Sequence, residues 1–326
     1  MIILSSYLLD DDNNARIERA ATGFGDSFIP APAGREDRVA LVDRRIAEAD
    51  IFFGGRLTGE QFAAAGRLRW IHVPWAGVNS LFTVEAIRES ALLITNSSGV
   101  MSDAVADQVM GYILAMSRDL PRQIRAQSRS QWLEYQTESP RRRILRGLTL
   151  GIVGYGAIGA GVAERGRAFG MRIIATKRDA STTPSGVDAI YPSAELGRLL
   201  EESDIVVLTA PLNEETRGMI GRPELARMKP GAFLINIARG PLVRQDELIE
   251  ALGNGVIAGA ALDVFEAEPL PADSPLWGME NVIVTPHSAG GYHGFWNATV
   301  DLFLDNYERY HAGKPLRNRV EPERGY

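Results

Sequence analysis

Residues 150–159 read LGIVGYGAIG and join a run of apolar residues to a turn rich in glycine. Gly154, Gly156 and Gly159 match the pattern G-x-G-x-x-G. In that pattern the first glycine permits a tight turn, the second lets a pyrophosphate approach the backbone, and the third lets a helix pack on a strand. Glycine turns also end strands for purely structural reasons, so the flanking sequence has to decide between the two interpretations.

The sequence on both sides of the turn favours dinucleotide binding. Residues 148–153 are an apolar strand, and residues 157–169 carry apolar side chains at helical spacing. Gly170 then suits the position after a helix, and residues 171–176 are typical of a second strand. A strand, helix and strand of this size form the βαβ unit of dinucleotide-binding domains, whose helix points its N-terminal N–H groups at the phosphates.

The composition is that of a globular protein with more than one core. A chain of 326 residues, 45% hydrophobic and 23% charged, predicts two domains. The formal net charge of -6 argues against nucleic acid or an anionic membrane as the main partner. We interpret the basic run at residues 141–143 as a solvated loop.

The absence of cysteine excludes disulfides, thiolate catalysis and cysteine-built metal sites, and we expect no metal site. The N-terminal stretch MIILSSYLLDDD has no basic region before its apolar residues, so it predicts a first strand rather than a signal peptide. No apolar run is long enough to span a bilayer. These features lead us to expect a cytoplasmic protein without a membrane partner.

Short apolar stretches alternate with helical ones before residue 100. The predicted strands are residues 2–5, 50–53, 69–73 and 91–95, and the helices include residues 38–49 and 59–65. This alternation predicts a parallel sheet with helices on both faces. The sequence PWAGVN at residues 74–79 follows the third strand at its carboxyl end, where such sheets place ligand-binding loops. A plain strand-to-helix turn is the alternative.

A long helix beginning at Ser102 leads into the second half of the chain, and Pro121 either ends it or starts a continuing helix. Residues 131–146 are expected to form a loop. The further strands are residues 204–209, 231–237, 256–264 and 282–284, with helices at residues 245–252 and about 295–311. The strands after residue 148 predict a second, doubly wound sheet.

Three residues that follow predicted strands have the chemistry that hydride transfer needs. His287 can donate and accept a proton near neutrality, and Glu268 could hold its ring. Arg239 offers forked donors to a substrate carboxylate and a developing oxyanion. Taken singly, residues of these types are more often solvated or structural, and their spacing alone does not bring them together.

Six segments occur in the order and approximate spacing of the D-isomer-specific 2-hydroxyacid dehydrogenases. They are GIVGYGAIG, PWAGVN, LTAPLNEETRGMI, NIARGPLV, ALDVFEAEPL and VIVTPH. Over nearly its whole length the chain resembles this family. The resemblance implies an α/β fold of two doubly wound parallel-sheet domains, a Rossmann cofactor domain and a flavodoxin-like substrate domain, with a cleft between them. Residues 1–100 and 288–326 would form the substrate domain, and residues 101–287 the dinucleotide-binding domain.

The resemblance also implies roles for individual residues. Arg239 would hold the carboxylate and carbonyl of a 2-oxo acid, His287 would donate the proton, and Glu268 would pair with His287. The backbone N–H groups of Ala76, Gly77 and Val78 would receive the acid. The product would be a D-2-hydroxy acid, and the enzyme would be a homodimer that includes the Ser102 helix in its interface.

The resemblance implies that a larger set of residues binds the cofactor. Its members are Gly154, Gly156, Ala157, Ile158, Gly159, Lys177, Arg178, Ala210, Pro211, Ala238 and Asp263. Asp263 resembles the residue that steadies the nicotinamide carboxamide. Lys177 stands where NAD-preferring members carry an acidic residue, and two adjacent cations favour a 2′-phosphate, so we expect NADP(H) to be preferred. NAD(H) remains possible if Asp179 contacts the ribose instead.

The chain departs from the family at Ala106-Asp107-Gln108, where AEH is common, and at Arg244-Gln245, where acidic residues are common. Neither departure removes a catalytic group. Glyoxylate, hydroxypyruvate and bulkier acids such as phenylpyruvate are the candidate substrates. Aromatic residues in or beside predicted loops hint at a roomy pocket, although packing explains them equally well: Trp75, Trp132, Tyr135, Tyr292, Phe295 and Trp296.

Phosphite dehydrogenase, a relative with the same scaffold, is one alternative, whereas Glu268 argues against a formate dehydrogenase. Phosphite dehydrogenases retain the arginine, glutamate and histidine, whereas formate dehydrogenases typically carry glutamine in place of Glu268. A nucleotide-sensing protein of the corepressor type would bind the dinucleotide and a protein partner with little turnover, because fold does not decide function.

Overall fold

The computed structural model describes residues 1–134 and 142–321. Tyr135 and Arg141, which the sequence analysis singled out, lie outside the described residues. The chain divides into two compact units, one made of Met1–Met101 and the segment from Tyr292 onward, the other of Ser102–Gly291.

The first unit contains a five-stranded parallel sheet. Its strands are β1 (Ile2–Ser5), β2 (Ser27–Ile29), β3 (Ile51–Phe53), β4 (Trp70–Val73) and β5 (Leu93–Asn96), in the order β2-β1-β3-β4-β5. The helices before residue 100 are α1 (Asp11–Gly23), α2 (Arg35–Arg45), α3 (Gly59–Ala64) and α4 (Glu85–Arg88). This strand order is that of flavodoxin-like folds.

The second unit contains a seven-stranded parallel sheet. Its helices are α5 (Ser102–Ser117), α6 (Leu120–Ser128), α7 (Ala157–Ala168), α8 (Leu196–Glu202), α9 (Arg222–Arg227) and α10 (Gln245–Gly253). Its strands are β6 (Thr149–Val153), β7 (Arg172–Lys177), β8 (Ala189–Pro192), β9 (Ile205–Leu208), β10 (Phe233–Asn236), β11 (Gly259–Leu262) and β12 (Val282–Val284). Their order is β12-β11-β10-β9-β6-β7-β8. The order reverses between β6 and β9, the point at which doubly wound sheets bind their ligands.

The expected α/β class with two parallel sheets is confirmed. The inner strands of the second sheet are mostly apolar, as expected for a parallel sheet that helices cover on both faces; all four side chains of β9 are buried. Pro121 lies in the first turn of α6, so a second helix does follow α5. The predicted helix at residues 38–49 is displaced: α2 ends at Arg45, and a 3-10 turn, Ile46–Glu48, continues it.

Strands β2 and β8 were missed by the sequence analysis. Both are edge strands, and both are short. None of the three β2 residues is buried, and β8 ends in a proline, so neither has the apolar run of the inner strands. An edge strand is covered less than an inner one, which weakens its hydrophobic signal.

The first unit is completed by α11 (Phe295–His311). Asn13 on α1 donates from Nδ2 to Asn297 Oδ1 on α11 at 2.7 Å, and Arg16 forms an ion pair with Asp301. The fold therefore returns the end of the chain to the unit with which it began. No helix among the described residues is long and apolar enough to cross a membrane.

Candidate active site

The glycine turn at residues 154–159 has the geometry that its sequence predicts. Gly154 has φ +96°, and a Cβ on it would lie 2.7 Å from the Cα of Ala210. A Cβ on Gly159 would lie 2.9 Å from the Gly154 carbonyl oxygen and 3.1 Å from Ile152 Cγ2. Both glycines are therefore required by a close approach within the chain.

Gly156 differs from the other two, because a Cβ on it would meet no protein atom within 4 Å. Its place is the N-cap of α7, whose first residues are Ala157 and Ile158. Packing inside the protein therefore does not require glycine at this position. A pyrophosphate that approaches the helix N-terminus does require glycine there, because a Cβ would occupy its space. The residues present therefore fit a bound dinucleotide.

Two threonines hold the glycine turn, and the sequence analysis did not identify either. The Gly154 N–H donates to Thr176 Oγ1 at 3.1 Å, and the Tyr155 N–H donates to the Thr176 carbonyl oxygen at 2.8 Å. Thr209, after β9, donates its hydroxyl to the Gly154 carbonyl oxygen. A hydroxyl residue at the end of each neighbouring strand was the signal that could have revealed them.

Beyond Thr176 the chain reaches the residues expected to select the cofactor. Lys177 ends β7, and both Lys177 and Arg178 are exposed. The Asp179 carboxylate accepts the Ser181 N–H at 3.0 Å. Hydrogen bonds from Ser181, with a smaller contribution from the charge of Lys177, lower the pKa of Asp179. Asp179 is thus engaged in a local turn.

Arg239 follows β10 and is held by Asn236, the last residue of that strand. Asn236 donates from Nδ2 to the Arg239 carbonyl oxygen at 2.9 Å and accepts the Ala238 N–H on Oδ1 at 3.1 Å. Burial lowers the pKa of Arg239 below its ordinary value, and the negative charge of Glu268 acts in the opposite direction. A guanidinium stays protonated in proteins, so this is a partly buried fixed cation.

Close packing brings the Arg239 segment against the segment that leads to Glu268. A Cβ on Gly240 would lie 1.9 Å from the carbonyl carbon and oxygen of Phe265, so only glycine fits between the two segments. The Phe265 N–H donates to Glu268 Oε1 at 3.0 Å. The carboxylate of Glu268 is therefore anchored on one oxygen by its own loop.

The other oxygen of that carboxylate contacts the histidine. His287 Nδ1 lies 2.7 Å from Glu268 Oε2, and their side chains are 49% and 36% exposed. His287 adopts a left-handed backbone conformation with φ +50°, which non-glycine residues rarely occupy. The structure thus brings Arg239, Glu268 and His287 into one electrostatic cluster at the carboxyl edge of the second sheet.

Asp263 has a structural role that was not predicted from the sequence. Its side chain is buried, with 1% exposure. Oδ1 accepts the Thr285 hydroxyl and the Ser288 N–H, and Oδ2 accepts the Ala289 N–H at 3.0 Å. Its backbone carbonyl accepts the His287 N–H at 2.8 Å. Asp263 therefore anchors the whole segment that carries His287.

The remaining cofactor-site predictions fall close to these residues in the second unit. Ala210 contacts Gly154 as described, Pro211 follows it as an exposed residue, and Ala238 is buried beside Asn236. At the family departures, the Arg165 guanidinium binds Asp107 at 2.6 Å and ties α5 to α7. Gln245 and Glu266 exchange hydrogen bonds between side chain and backbone in both directions.

Ala76, Gly77 and Val78 belong to the first unit, in the loop after β4. Asn96 donates from Nδ2 to the Ala76 carbonyl oxygen at 2.7 Å, and Val78 is fully buried. The loop is thus fixed at both ends, whereas Ala76 and Gly77 stay partly exposed. Asn96, on the neighbouring strand β5, was not identified from the sequence.

The aromatic residues of the first unit pack against one another. Trp75 stacks on Phe295 with ring centroids 5.3 Å apart, lies 5.7 Å from Trp296, and donates from Nε1 to Tyr7 at 3.1 Å. Tyr292 in turn lies 6.1 Å from Phe295. These contacts support the packing alternative for four of the six aromatic residues considered from the sequence. Trp132 is 94% exposed in the second unit.

A doubly wound sheet with this glycine turn and this charged cluster belongs to a nicotinamide-dinucleotide-dependent oxidoreductase. Residues 110–289 match the model of the NAD-binding domain of the D-isomer specific 2-hydroxyacid dehydrogenases. A glyoxylate reductase of Korarchaeum cryptofilum is 37% identical over 271 residues, covering 82% of this chain and 80% of that protein.

Solved structures agree with this match. A D-isomer specific 2-hydroxyacid dehydrogenase from Xanthobacter autotrophicus Py2, in complex with NADPH and MES, is 31% identical with a TM-score of 0.84, covering 100% of this chain and 99% of that chain. The NADPH-dependent glyoxylate/hydroxypyruvate reductase of Sinorhizobium meliloti, in complex with NADP and sulfate, is 25% identical with a TM-score of 0.82, at the same coverages. The chain belongs to the D-isomer specific 2-hydroxyacid dehydrogenase family, as the resemblance implied. It is an enzyme of 2-oxo and 2-hydroxy acids that uses a nicotinamide cofactor.

Proposed function

We propose that this enzyme reduces a small 2-oxo acid to the D-2-hydroxy acid with NADPH, and that His287 donates the proton. The observation that carries the proposal is the 2.7 Å contact between His287 Nδ1 and Glu268 Oε2. Because Glu268 occupies Nδ1, Nε2 is the ring nitrogen left to serve the substrate, and the carboxylate holds the ring in one orientation.

The proposed reaction gives a separate role to each of three side chains, Arg239, Glu268 and His287. The Arg239 guanidinium binds the substrate carboxylate and polarises the carbonyl oxygen, which makes the carbonyl carbon electrophilic. When bound, the cofactor supplies the hydride. As the new C–H bond forms, the carbonyl π electrons move to oxygen, and that oxygen takes the proton from His287 Nε2. The backbone N–H groups of Ala76, Gly77 and Val78 are the proposed second contact of the acid.

We propose glyoxylate and hydroxypyruvate as the substrates to test first. The relatives from Korarchaeum cryptofilum and Sinorhizobium meliloti are named for these acids. The aromatic residues around Trp75 pack against one another, which argues against a pocket built from them for a bulky side chain such as that of phenylpyruvate. We further propose that the first unit contributes the substrate loop of Ala76, Gly77 and Val78 and that the second unit binds the dinucleotide, with Asp263 also steadying the nicotinamide carboxamide.

The preference for NADPH over NADH rests on the exposed cations after β7. Lys177 and Arg178 provide positive charge where a 2′-phosphate would lie, whereas Asp179 is engaged with Ser181. Support also comes from the two neighbours that bind NADPH or NADP. The double substitution Lys177→Asp with Arg178→Ala should shift the kcat/KM ratio toward NADH, and an unaltered ratio would remove this argument.

A homodimer that includes α5 and the segment after it is our proposal for the assembly. Support comes from large apolar side chains exposed between residues 120 and 144: Leu120 (41%), Ile124 (60%), Trp132 (94%) and Ile144 (79%). A contiguous exposed apolar patch marks an interaction surface, and we propose that these side chains form one. Sedimentation of wild type against Ile124→Glu with Trp132→Ser tests it, and a monomeric wild type would contradict it.

The deciding experiment is the oxidation of NADPH and NADH, in parallel, with glyoxylate, hydroxypyruvate, pyruvate and phenylpyruvate. We expect fast NADPH-dependent turnover of one of the two small acids. If no acid is reduced although the cofactor binds, the proposal is wrong, and assays for phosphite oxidation and for a protein partner would distinguish the two alternatives.

A further inference from the structure

A partly buried chain of hydroxyl groups leads from α5 to the segment that carries His287. Tyr112 is 3% exposed, and its phenol oxygen lies 2.5 Å from Thr285 Oγ1. The Thr285 hydroxyl in turn donates to Asp263 Oδ1. None of these contacts takes part in the reaction scheme given above.

The direction of each hydrogen bond in this chain follows from proton counting. A threonine hydroxyl has a single hydrogen, which Thr285 donates to Asp263. Tyr112 must therefore donate its own hydrogen to Thr285 Oγ1. Burial raises the pKa of Tyr112, so the phenol keeps the proton that this arrangement requires. All donors point toward the Asp263 carboxylate, an arrangement in which each bond polarises the next.

Asp263, at the end of this chain of hydrogen bonds, holds the backbone at His287 and at the two residues that follow it. Asp263 accepts the N–H groups of Ser288 and Ala289, and its carbonyl oxygen accepts that of His287. His287 holds a left-handed backbone conformation that costs a non-glycine residue free energy, so surrounding contacts must maintain it. Its side chain is about half exposed, which leaves these backbone contacts and Glu268 to orient the ring.

We propose that Tyr112 and Thr285 are positioning residues, which act through Asp263 to keep His287 aligned for proton transfer. Neither touches the reacting atoms. The inference rests on the proposed function, because it matters only if His287 is the proton donor.

The test compares substitutions that remove single hydroxyl groups. Tyr112→Phe deletes only the phenol oxygen, and Thr285→Val deletes the hydroxyl while keeping the shape of the side chain. We expect each to lower kcat with the best 2-oxo acid roughly 10-fold, with KM for that acid and for NADPH changed less than about twofold, because misalignment affects the transfer step more than binding. The solvent deuterium isotope effect on kcat should rise, since proton transfer becomes slower.

Two matched variants separate positioning from general stability. Thr285→Ser restores the hydroxyl and should return kcat to near the wild-type value. Tyr191→Phe removes another buried phenol of the same unit, which donates to Glu202 at 3.0 Å, and should leave kcat and the isotope effect unchanged whatever its melting temperature.

If wild type turns over and Tyr112→Phe and Thr285→Val match it in kcat and isotope effect, the positioning role is wrong. Equal losses in Tyr191→Phe would likewise overturn it. If instead wild type reduces no 2-oxo acid, the proposed function fails. The two failures are therefore distinct.

Discussion

His72 and His287 have the same side chain in opposite surroundings. His72 lies on β4 of the first unit, fully buried, with Nδ1 2.8 Å from Thr95 Oγ1 and Nε2 3.1 Å from Ser97 Oγ. Burial lowers its pKa to about 3, so it is neutral in the folded protein near pH 7. His287 lies beyond the end of a strand, half exposed and in contact with a carboxylate.

The comparison shows how position in an α/β sheet decides the chemistry of an imidazole. Inside the sheet, hydroxyl groups satisfy both ring nitrogens of His72, and no proton can enter without a desolvation cost. At the carboxyl edge, only one nitrogen of His287 is committed to Glu268, and the other can reach a ligand. We therefore expect the two histidines to respond differently to substitution, one in turnover and the other in stability.

The largest expected effect is that of His287→Ala. Loss of the proposed proton donor should lower kcat by roughly 10³-fold, the usual contribution of a positioned general acid. NADPH binding, followed by its fluorescence, serves as the control and should be unchanged, because His287 lies outside the glycine turn. Turnover near the wild-type level would remove His287 from the mechanism.

Glu268→Gln should come next, with kcat lowered about 10²-fold at unchanged protein stability. The amide keeps the size of the side chain, but its NH₂ group can donate to Nδ1, which moves the ring proton to Nε2 only and removes the charge that stabilises the imidazolium. Steady-state kinetics with the best 2-oxo acid measures the effect. A loss confined to KM would instead indicate that Glu268 acts in substrate binding.

His72→Leu should leave kcat within about threefold of wild type but lower the free energy of unfolding by roughly 2 kcal/mol, because the Thr95 and Ser97 hydroxyls lose a buried partner. Urea unfolding at pH 7 measures it. Normal stability with lost turnover would instead mean that His72 acts in the reaction and not in the stability of the fold.

The smallest effect is a dependence of stability on pH. The unfolded chain binds a proton at His72 below about pH 6.5, whereas the folded chain does so only near pH 3. The unfolded state therefore holds more protons in this window, and the stability that the neutral ring contributes is lost as the pH falls through it. Between pH 6.5 and 4.5 the wild type should lose about 2 kcal/mol more than His72→Leu does. Parallel curves for the two proteins would contradict the low pKa.

Much of the fold could be predicted from periodicity. Strands β1 and β12 and helix α11 have the bounds that were expected, and the glycine turn opens α7 as its pattern predicts. Edge strands β2 and β8 were missed, because partial cover leaves little apolar signal. The candidate site residues Arg239, Glu268 and His287 were selected by residue type, strand position and family resemblance together, since spacing alone could not join them.

The supporting residues were beyond the reach of sequence reasoning. Tyr112 lies on the buried face of α5, but its hydroxyl partner Thr285 lies far along the chain. Thr176, Asn96 and the loop-anchoring role of Asp263 are of the same kind. Each depends on a hydrogen bond between segments that only folding brings together.

The amino-acid sequence by itself determined the α/β class, the dinucleotide turn and the family, because the spacing of apolar residues and glycines is local and survives in the one-dimensional order of the chain. Only the tertiary structure decided which imidazole is buried and neutral and which can reach a ligand. It also decided which hydroxyl and carboxylate groups hold the catalytic segment in place. The physical reason is that burial and hydrogen-bond partners depend on the packing of distant segments, and these two properties set the protonation and orientation of each side chain.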